Sequence, residues 1–461
     1  MTERATWETR RWHLGLSIAL AMVVGCHSGE SLSGTGGAGA TGGAHPAGGS
    51  GGDTGDSGVT GGSSGSTGGS GGTAVGPFGA NVDILFMIDD SSEMSEMQGK
   101  LYDQLPLFVQ ALQGLPTQPS LHVAVVDSDL GAPGDSTSSL GCTKAGDQGQ
   151  FQSAPSGTCT ATTLTSGATF ISDVDDMPNY TDASLSDVLQ CIALLGDRGC
   201  GFEHQLASID RALGADGLGA APSVNAGFLR PNAYLVIVML TNEDDCSAPA
   251  DTTIYSLNGY QQNISNPDGP IANYRCNGGP RGAHYCQDPA NGNAWMVPPL
   301  APPADAQGPS TAPTLDLANC VDNEQPPTGT GTSALTPVSK FINDIKSLKP
   351  DPDNQILVAA IAGPAVPYTV AWIPPEGGQN TKPGELWPTV MHSCGAISAG
   401  GYVNPKTTQN VTDGSFADPS VRIDQFVNAF PNSVLGSVCD PSYAATVSAV
   451  AAKIGQLIAH P

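Results

Sequence analysis

Val82–Asp89 (VDILFMID) is a short apolar run that ends in an acid, and the fold can be predicted outward from it. Such a run is typical of a strand buried on both faces of a parallel sheet. The apolar residues that follow it are spaced three or four apart, which predicts a helix with one apolar face. They are Met94, Met97, Leu101, Leu105, Phe108 and Leu112. We expect Pro106 to kink or break this helix.

Strand and helix patterns alternate along the rest of the chain. Further strands are predicted at Leu121–Val126, Tyr234–Leu240, Ile356–Ala362 and Ser433–Val438. Helices are predicted at Leu185–Leu195, Phe202–Leu213, Pro337–Leu348 and Val421–Phe430, and at the C-terminus with an apolar stripe of Val447, Val450, Ile454 and Leu457. This alternation predicts an α/β fold with a doubly wound, mostly parallel sheet covered by helices on both faces.

Two regions interrupt the alternation, at about 127–167 and 246–333. Both are rich in Pro, Gly, Asn and Cys and show no periodic pattern. Neither carries enough apolar residues for a core of its own. We therefore expect one domain at 81–461 with two disulfide-pinned insertions.

The N-terminus predicts export. A basic start precedes the short apolar run Leu14–Gly25, which is too short to span a bilayer and is typical of a signal peptide over 1–25. The segment Val23–Cys26 resembles the lipobox of bacterial lipoproteins, which implies cleavage before Cys26, acylation of that cysteine and a stable membrane anchor. His27 follows in place of the Asp that retains such proteins at the inner membrane, which favours the outer membrane and a location in the cell envelope. The alternative is a plain secretory signal with a chance cysteine.

Residues 26–80 are almost entirely Gly, Ser, Thr and Ala, a composition that predicts a disordered linker. The chain has 17 Lys and Arg against 43 Asp and Glu, a formal net charge of −26. This balance argues against nucleic acid and anionic lipid surfaces as partners. The membrane is therefore expected to be reached through the lipid anchor alone.

The ten cysteines other than Cys26 are an even number, which predicts a disulfide framework in an exported chain. Short loops favour Cys142–Cys159 and Cys191–Cys200, and Cys394–Cys439 would join the C-terminal elements. The order of the remaining four is open.

Two predicted strands run into unusually acidic turns. The first turn is Asp89-Asp90-Ser91-Ser92-Glu93, and the second is Thr241-Asn242-Glu243-Asp244-Asp245. The carboxyl ends of parallel strands meet at one edge of a sheet, where like charges are unfavourable unless a cation or a proton neutralises them. Carboxylate, hydroxyl and amide oxygens suit Mg²⁺ or Ca²⁺. We expect Asp90 and Asp245 to be ordinary solvent-facing acids.

These two turns resemble the metal-ion-dependent adhesion site of von Willebrand factor A domains. In that family the first strand ends in D-x-S-x-S, which Asp89 and Ser91 match, and a later strand ends in T-D-G, of which Thr241 matches the threonine. The resemblance implies a metal set of Asp89, Ser91, Glu93, Asn242, Glu243 and Asp244. It also implies adhesion or recognition, because the metal in this family commonly takes a carboxylate from a partner protein.

The motif departs from the family at three positions. Glu93 stands at the second serine, Asn242 stands at the metal-linked aspartate, and the nearest candidate for the middle-loop threonine, Gly199–Glu203, supplies only Glu203. Either the acids replace the missing ligands and favour Ca²⁺, or Glu93 fills the site and abolishes it.

The part of the sequence predicted to fold contains no P-loop, no HExxH and no GxSxG motif, so we expect a binding module for a protein or surface polymer and no enzyme. Two alternatives remain open. One is an exported hydrolase with its site in the insertions, and the other is a structural envelope lipoprotein without metal.

Overall fold

The computed structural model describes residues 80–459 apart from 133–141, 144, 155–163, 166, 176, 256–263, 265, 267, 280, 309–311, 325–328, 376–383 and 396–412. The predicted signal peptide, Cys26, almost all of the predicted linker and Cys159 lie outside the described residues.

The described strands, in chain order, are β1 Asn81–Ile88, β2 Ser120–Val126, β3 Ile171–Val174, β4 Met177–Pro178, β5 Tyr234–Leu240, β6 His284–Asp288, β7 Ala294–Met296, β8 Thr314–Asp322, β9 Ile356–Ala362, β10 Tyr368–Ile373, β11 Trp387–Val390, β12 Cys394–Gly395, β13 Phe416–Ala417 and β14 Asn432–Ser437. The described α-helices are α1 Ser95–Gln113, α2 Leu185–Ala193, α3 Gln205–Leu213, α4 Ala272–Asn277, α5 Val338–Ser347, α6 Pro352–Gln355, α7 Val421–Asn428 and α8 Ala444–Ala459.

Seven strands form one sheet in the order β14-β9-β5-β1-β2-β3-β4. The five strands from β14 to β2 pair in parallel, and β3 and β4 pair antiparallel at one edge. In β1, Val82 lies opposite Leu121 of β2 and Tyr234 of β5, so the three strands end at the same level. The predicted mixed α/β class with a mostly parallel sheet is confirmed.

Alternate residues of the buried strands pack into two separate hydrophobic cores. From β1, Ile84 and Phe86 enter a core shared with α1, α2 and α8. Leu85 and Met87 point to the opposite face and enter a core shared with α3, α5 and α7. Because both faces are covered, these strands read as continuous apolar runs.

Pro106 lies inside α1 without ending it, so the predicted break is wrong. A proline has no N–H to donate to the carbonyl four residues earlier, here that of Tyr102. The side-chain amide of Gln190 in α2 donates to this carbonyl at 2.9 Å. The freed acceptor is thus satisfied by the neighbouring helix and the helix continues to Gln113.

An accessory five-stranded sheet has the order β11-β10-β8-β6-β7, and its strands pair antiparallel. Three of them lie in 246–333, so the expectation that this region has no regular pattern is wrong. The five residues of β6, HYCQD, do alternate between buried and partly exposed positions. Such short strands with polar outward residues carry little apolar signal. Their core is completed by Tyr368, Val370 and Trp372 of β10, which lie outside that region.

Four disulfides join described cysteines: Cys142–Cys200, Cys246–Cys276, Cys286–Cys320 and Cys394–Cys439. The predicted pairings Cys142–Cys159 and Cys191–Cys200 are wrong, because Cys142 and Cys200, 58 residues apart, bond to each other. This bond joins the loop after β2 to the segment before α3. The predicted pairing Cys394–Cys439 is confirmed.

Candidate functional site

Asp89 lies at the carboxyl end of β1 and is fully buried. Its Oδ1 accepts hydrogen bonds from the backbone N–H of Ser91 at 2.9 Å and from the hydroxyl of Ser128 at 3.1 Å. Its Oδ2 accepts from the Thr241 hydroxyl at 2.7 Å. Burial raises the pKa of this carboxyl, and the three donors oppose the rise. Asp89 thus joins the ends of β1, β2 and β5.

The Thr241 hydroxyl is oriented by α3. The side-chain amide of Gln205, the first residue of α3, donates to Thr241 Oγ1 at 2.8 Å. Of the two acceptors within reach of the Thr241 proton, Asp89 Oδ2 at 2.7 Å is closer than the Glu243 carbonyl oxygen at 3.1 Å and carries the charge, which favours donation to Asp89. The turns after β1 and β5 are therefore joined by a hydrogen bond between residues 152 positions apart.

Two glutamates, Glu203 and Glu243, lie close enough to Asp89 and to each other for their charges to interact. Glu203, in the segment before α3, is buried, and Glu243 follows β5. Burial raises the pKa of Glu203 well above its usual value, and the neighbouring carboxyls of Glu243 and Asp89 raise it further. Burial also raises the pKa of Glu243, as does the charge of Asp418. Two carboxyls this close cannot both ionise easily unless positive charge arrives.

Ser91 and Asn242 supply neutral oxygens to the same edge. Ser91 is 2% exposed and Asn242 is 0% exposed. The Ser91 hydroxyl and both polar atoms of the Asn242 amide are buried without a hydrogen-bond partner among the described residues. An unsatisfied buried polar group costs about 1–3 kcal/mol, so such atoms point to a ligand that completes them.

Glu93 does not fill this site. Its side chain is exposed, and its Oε2 accepts a hydrogen bond from the hydroxyl of Ser92 at 2.6 Å. Its charge still contributes to the raised pKa of Glu243. Glu93 thus lies on the solvent side of the group.

Asp244 is placed away from the group and is fully engaged. Its two oxygens accept from the backbone N–H groups of Arg422 at 2.9 and 3.1 Å and of Ile423 at 3.1 Å, at the start of α7. Oδ2 also lies 2.8 Å from Nε2 of His284. This carboxylate satisfies a helix N-terminus, where unpaired N–H groups favour an anion.

The expectation that Asp245 faces solvent is wrong. It is 0% exposed, and its Oδ2 accepts from the Arg422 guanidinium at 2.9 Å. Its Oδ1 accepts from the backbone N–H of Leu206 in α3 and from the hydroxyl of Ser247. A buried arginine forces this acid inward, because an unpaired buried charge is strongly destabilising.

Asp90 is also not an ordinary solvent-facing acid. It is only partly exposed, and burial together with the charges of Asp89, Asp129 and Asp147 raises its pKa to about 8. Burial raises the pKa of Asp129 to about 6. Asp127, which follows β2, likewise has a raised pKa, chiefly because it is buried. Sequence reasoning missed the acids after β2, although an apolar strand running into acid was the signal used at β1 and β5.

The last side of the group is formed by the segment before α7. The backbone N–H of Asp418 donates to the Asn242 carbonyl at 2.8 Å. Oδ1 of Asp418 lies 2.7 Å from Nδ1 of His392. Asp418 therefore fixes the Asn242 backbone and adds negative charge next to Glu243.

The donor set suits a hard cation in its chemistry. Among the described residues, no three His, Cys, Asp or Glu side chains are arranged to hold a metal by themselves. A cation at this edge therefore needs the neutral oxygens of Ser91 and Asn242 as well as carboxylates, a combination typical of Mg²⁺ and Ca²⁺ sites.

No family model and no curated protein matches the chain. Among solved structures, the chain is similar to the pilus adhesin SpaC from Lactobacillus rhamnosus GG in its open conformation, with 11% sequence identity and a TM-score of 0.29. The match covers 82% of this chain but 30% of the adhesin, so the chain spans less than a third of that protein. Within the described part, no helix is both long and apolar enough to cross a membrane.

Proposed function

We propose that this chain is a binding module of the bacterial cell envelope, with a von Willebrand A-like domain that recognises a protein or a surface polymer. The strand order supports this proposal. When the two-residue edge strand β4 is left out and the other six strands are numbered in chain order, β3, β2, β1, β5, β9 and β14 follow the order 3-2-1-4-5-6 of doubly wound folds, with β3 antiparallel at the edge. Ligands of such sheets bind where the order reverses, which is between β1 and β5.

One observation carries the proposal: the hydrogen bond from Thr241 to Asp89 at 2.7 Å spans this reversal point, next to the unpartnered oxygens of Ser91 and Asn242. The polar atoms at this edge are buried, acidic and incompletely satisfied, which is costly in a site without a ligand.

A divalent cation would be held by Ser91 and Asn242 together with the nearby carboxylates of Glu203 and Glu243. Calcium fits better than magnesium, because the site is strongly negative and calcium tolerates irregular oxygen shells. When bound, the cation supplies a positive centre for an acidic group of the partner. Asp89 orients the surrounding hydroxyls, and Asp244 holds the loop instead of binding the ion.

The test is isothermal titration of the intact chain with Ca²⁺ and with Mg²⁺. We expect binding by the wild type and at least about tenfold weaker binding by Ser91→Ala and by Asn242→Ala, each of which removes an oxygen. Asp103→Asn removes an exposed acid of α1 and serves as the control. If neither cation binds, or if both site variants bind like the control, the metal-dependent function is wrong.

The location is part of the proposal. A lipid on Cys26 would hold the domain at the membrane, with the Gly-rich segment as a tether and the outer membrane as the destination. Mass spectrometry of the mature N-terminus and fractionation of Cys26→Ser test this. Release of the variant into the soluble fraction is expected, and unchanged membrane association would contradict the anchor. We assign no catalysis to the chain and expect screens for hydrolase activity to be negative.

A further inference from the structure

A cavity of about 270 Å³ lies at the carboxyl ends of β9 and β14, against the start of α7. Its floor includes Gly363, whose Cα leaves no room for a side chain because a Cβ there would lie 2.0 Å from the Asp418 carbonyl oxygen. Ser420 and Asp424 line one wall, and Leu435 and Asp440 line another. The cavity shares no lining residue with the group around Asp89, although the segment before α7 borders both.

Ser420 is the first unusual feature of this cavity. It is the residue immediately before α7, where a serine side chain normally accepts a hydrogen bond from the helix, but it makes no such capping bond. It is 1% exposed, and its hydroxyl has no hydrogen-bond partner among the described residues. The cap is replaced by Asp244, which accepts from the first N–H groups of α7. The Ser420 hydroxyl is therefore an unsatisfied polar group beside the cavity.

Asp424 is the second feature. It lies four residues after Ser420, so the two side chains occupy the same face of the helix. Its Oδ2 accepts from the Asn428 amide at 3.0 Å, and burial raises the pKa of its carboxyl. Asp440 adds a second acid to the lining, while Leu435, 45% exposed, provides an apolar side.

These groups select the kind of ligand. Two acids exclude an anion. The lining has two hydroxyls, those of Ser420 and Ser437, and the Ser437 oxygen already accepts from the backbone N–H of Cys439 at 3.2 Å, so the remaining oxygens fall short of the six to eight that a calcium shell needs. An ammonium group has three donors for a hydroxyl and carboxylates, and an aliphatic stem covers apolar surface. The net charge of −26 also draws cationic ligands to the chain.

We infer that this cavity binds a primary ammonium group on an aliphatic stem, as in a lysine side chain, with Ser420 and Asp424 as its acceptors. The site is independent of the divalent cation proposed above. Its ligand is either a free alkylamine or a lysine presented by a partner protein, because both carry the same chemistry.

The test is an NMR titration of the intact chain with Nα-acetyl-lysine-N-methylamide. The control ligand carries an ε-acetyl group, which removes the charge and keeps the stem. A second arm uses n-butylamine. A dissociation constant on the order of 1 mM is expected for so small a ligand, with at least tenfold weaker binding of the acetylated control. Tighter binding of the lysine derivative than of butylamine indicates a lysine of a partner, and the reverse indicates a free amine.

Variants locate the site. Asp424→Asn is expected to weaken binding at least about tenfold and Ser420→Ala about threefold or more, while Asp103→Asn has no effect. Thermal melts confirm that each variant is folded. Equal binding of charged and acetylated ligands, no binding by the folded wild type, or an unchanged affinity in Asp424→Asn overturns the inference. The variant Asn242→Ala, which is expected to bind calcium more weakly, should still bind the amine. This result would show that the two sites are separate.

Discussion

Replacing Asn242 by Asp introduces the carboxylate that the proposed likeness to von Willebrand A domains implies at this position. Asn242 is 0% exposed and follows Thr241, which holds Asp89. The substitution keeps the size of the side chain and changes one neutral oxygen into a charged one. It therefore tests the charge of the site with little disturbance of packing.

The expected magnitude follows from burial. Without a cation, the new carboxylate lies near Asp89, Glu203 and Glu243 and must stay unpaired or take up a proton. An unsatisfied buried group costs about 1–3 kcal/mol and a charged one costs more, so we expect a loss of about 3 kcal/mol. At about 2 °C per kcal/mol, the melting temperature falls by about 6 °C. With calcium at about 100 times its Kd, binding returns about 2.7 kcal/mol.

The assay compares thermal melts of the wild type, Asn242→Asp and the control Asp103→Asn in EDTA and in calcium. We expect the Asn242→Asp variant to be the least stable in EDTA. Because the wild type is also stabilised by calcium, the deficit of the variant should shrink in calcium by about 1.4 kcal/mol, the gain from tenfold tighter binding, and should not disappear. Titration calorimetry should show at least about tenfold tighter calcium binding, which corresponds to about 1.4 kcal/mol. A variant that is equally destabilised with and without either cation would refute the proposal that this edge binds metal.

Asp244→Ala should lower the free energy of unfolding, measured in urea, by about 3–5 kcal/mol, because it leaves the start of α7 and its ionic neighbours unsatisfied. The calcium affinity of the folded fraction should not change. A selective loss of calcium binding would instead make Asp244 a ligand. Asp90→Asn tests pH dependence. Because the folded pKa of Asp90 is raised to about 8, the wild type loses stability as pH rises from about 4 to about 8. The free energy of unfolding of the variant, measured in urea and compared with that of the wild type, should increase across that window by at most about 1.4 kcal/mol per pH unit. A difference that does not change with pH would contradict the raised pKa of Asp90. Replacing both Cys142 and Cys200 by Ser opens a loop of 58 residues and should lower the free energy of unfolding by roughly 4 kcal/mol. If peptide mapping of the wild type finds Cys142 bonded to another cysteine, the Cys142–Cys200 pairing is wrong.

The bounds of the buried strands were predictable to within one residue where both faces are covered. The bounds of β5 and β9 are those read from the sequence, because a strand between two helical layers is apolar throughout and ends where polar residues begin. The same logic predicted that the turns after β1 and β5 meet. The hydrogen bond between Asp89 and Thr241 is consistent with that prediction.

The roles of individual acids were less predictable, because they depend on residues distant in the chain. Asp244 and Asp245 are oriented by Arg422, which lies 178 and 177 residues later. No local pattern distinguishes them from Glu243, which does join the group. The accessory strands β6 to β8 were missed because their outward residues are polar and their core is completed by β10.

Arg422 limits which deletions and replacements the region 246–333 can tolerate. Its guanidinium donates to Asp245 next to β5 and to Asp322 at the end of β8, and all three side chains are shielded from water. A deletion or exchange of the region that contains β8 would remove one of the two anions from a buried cation. The accessory sheet is therefore not a detachable module: a chimera that swaps it must carry an acid at the position of Asp322, or the loop bearing the candidate site loses its anchor.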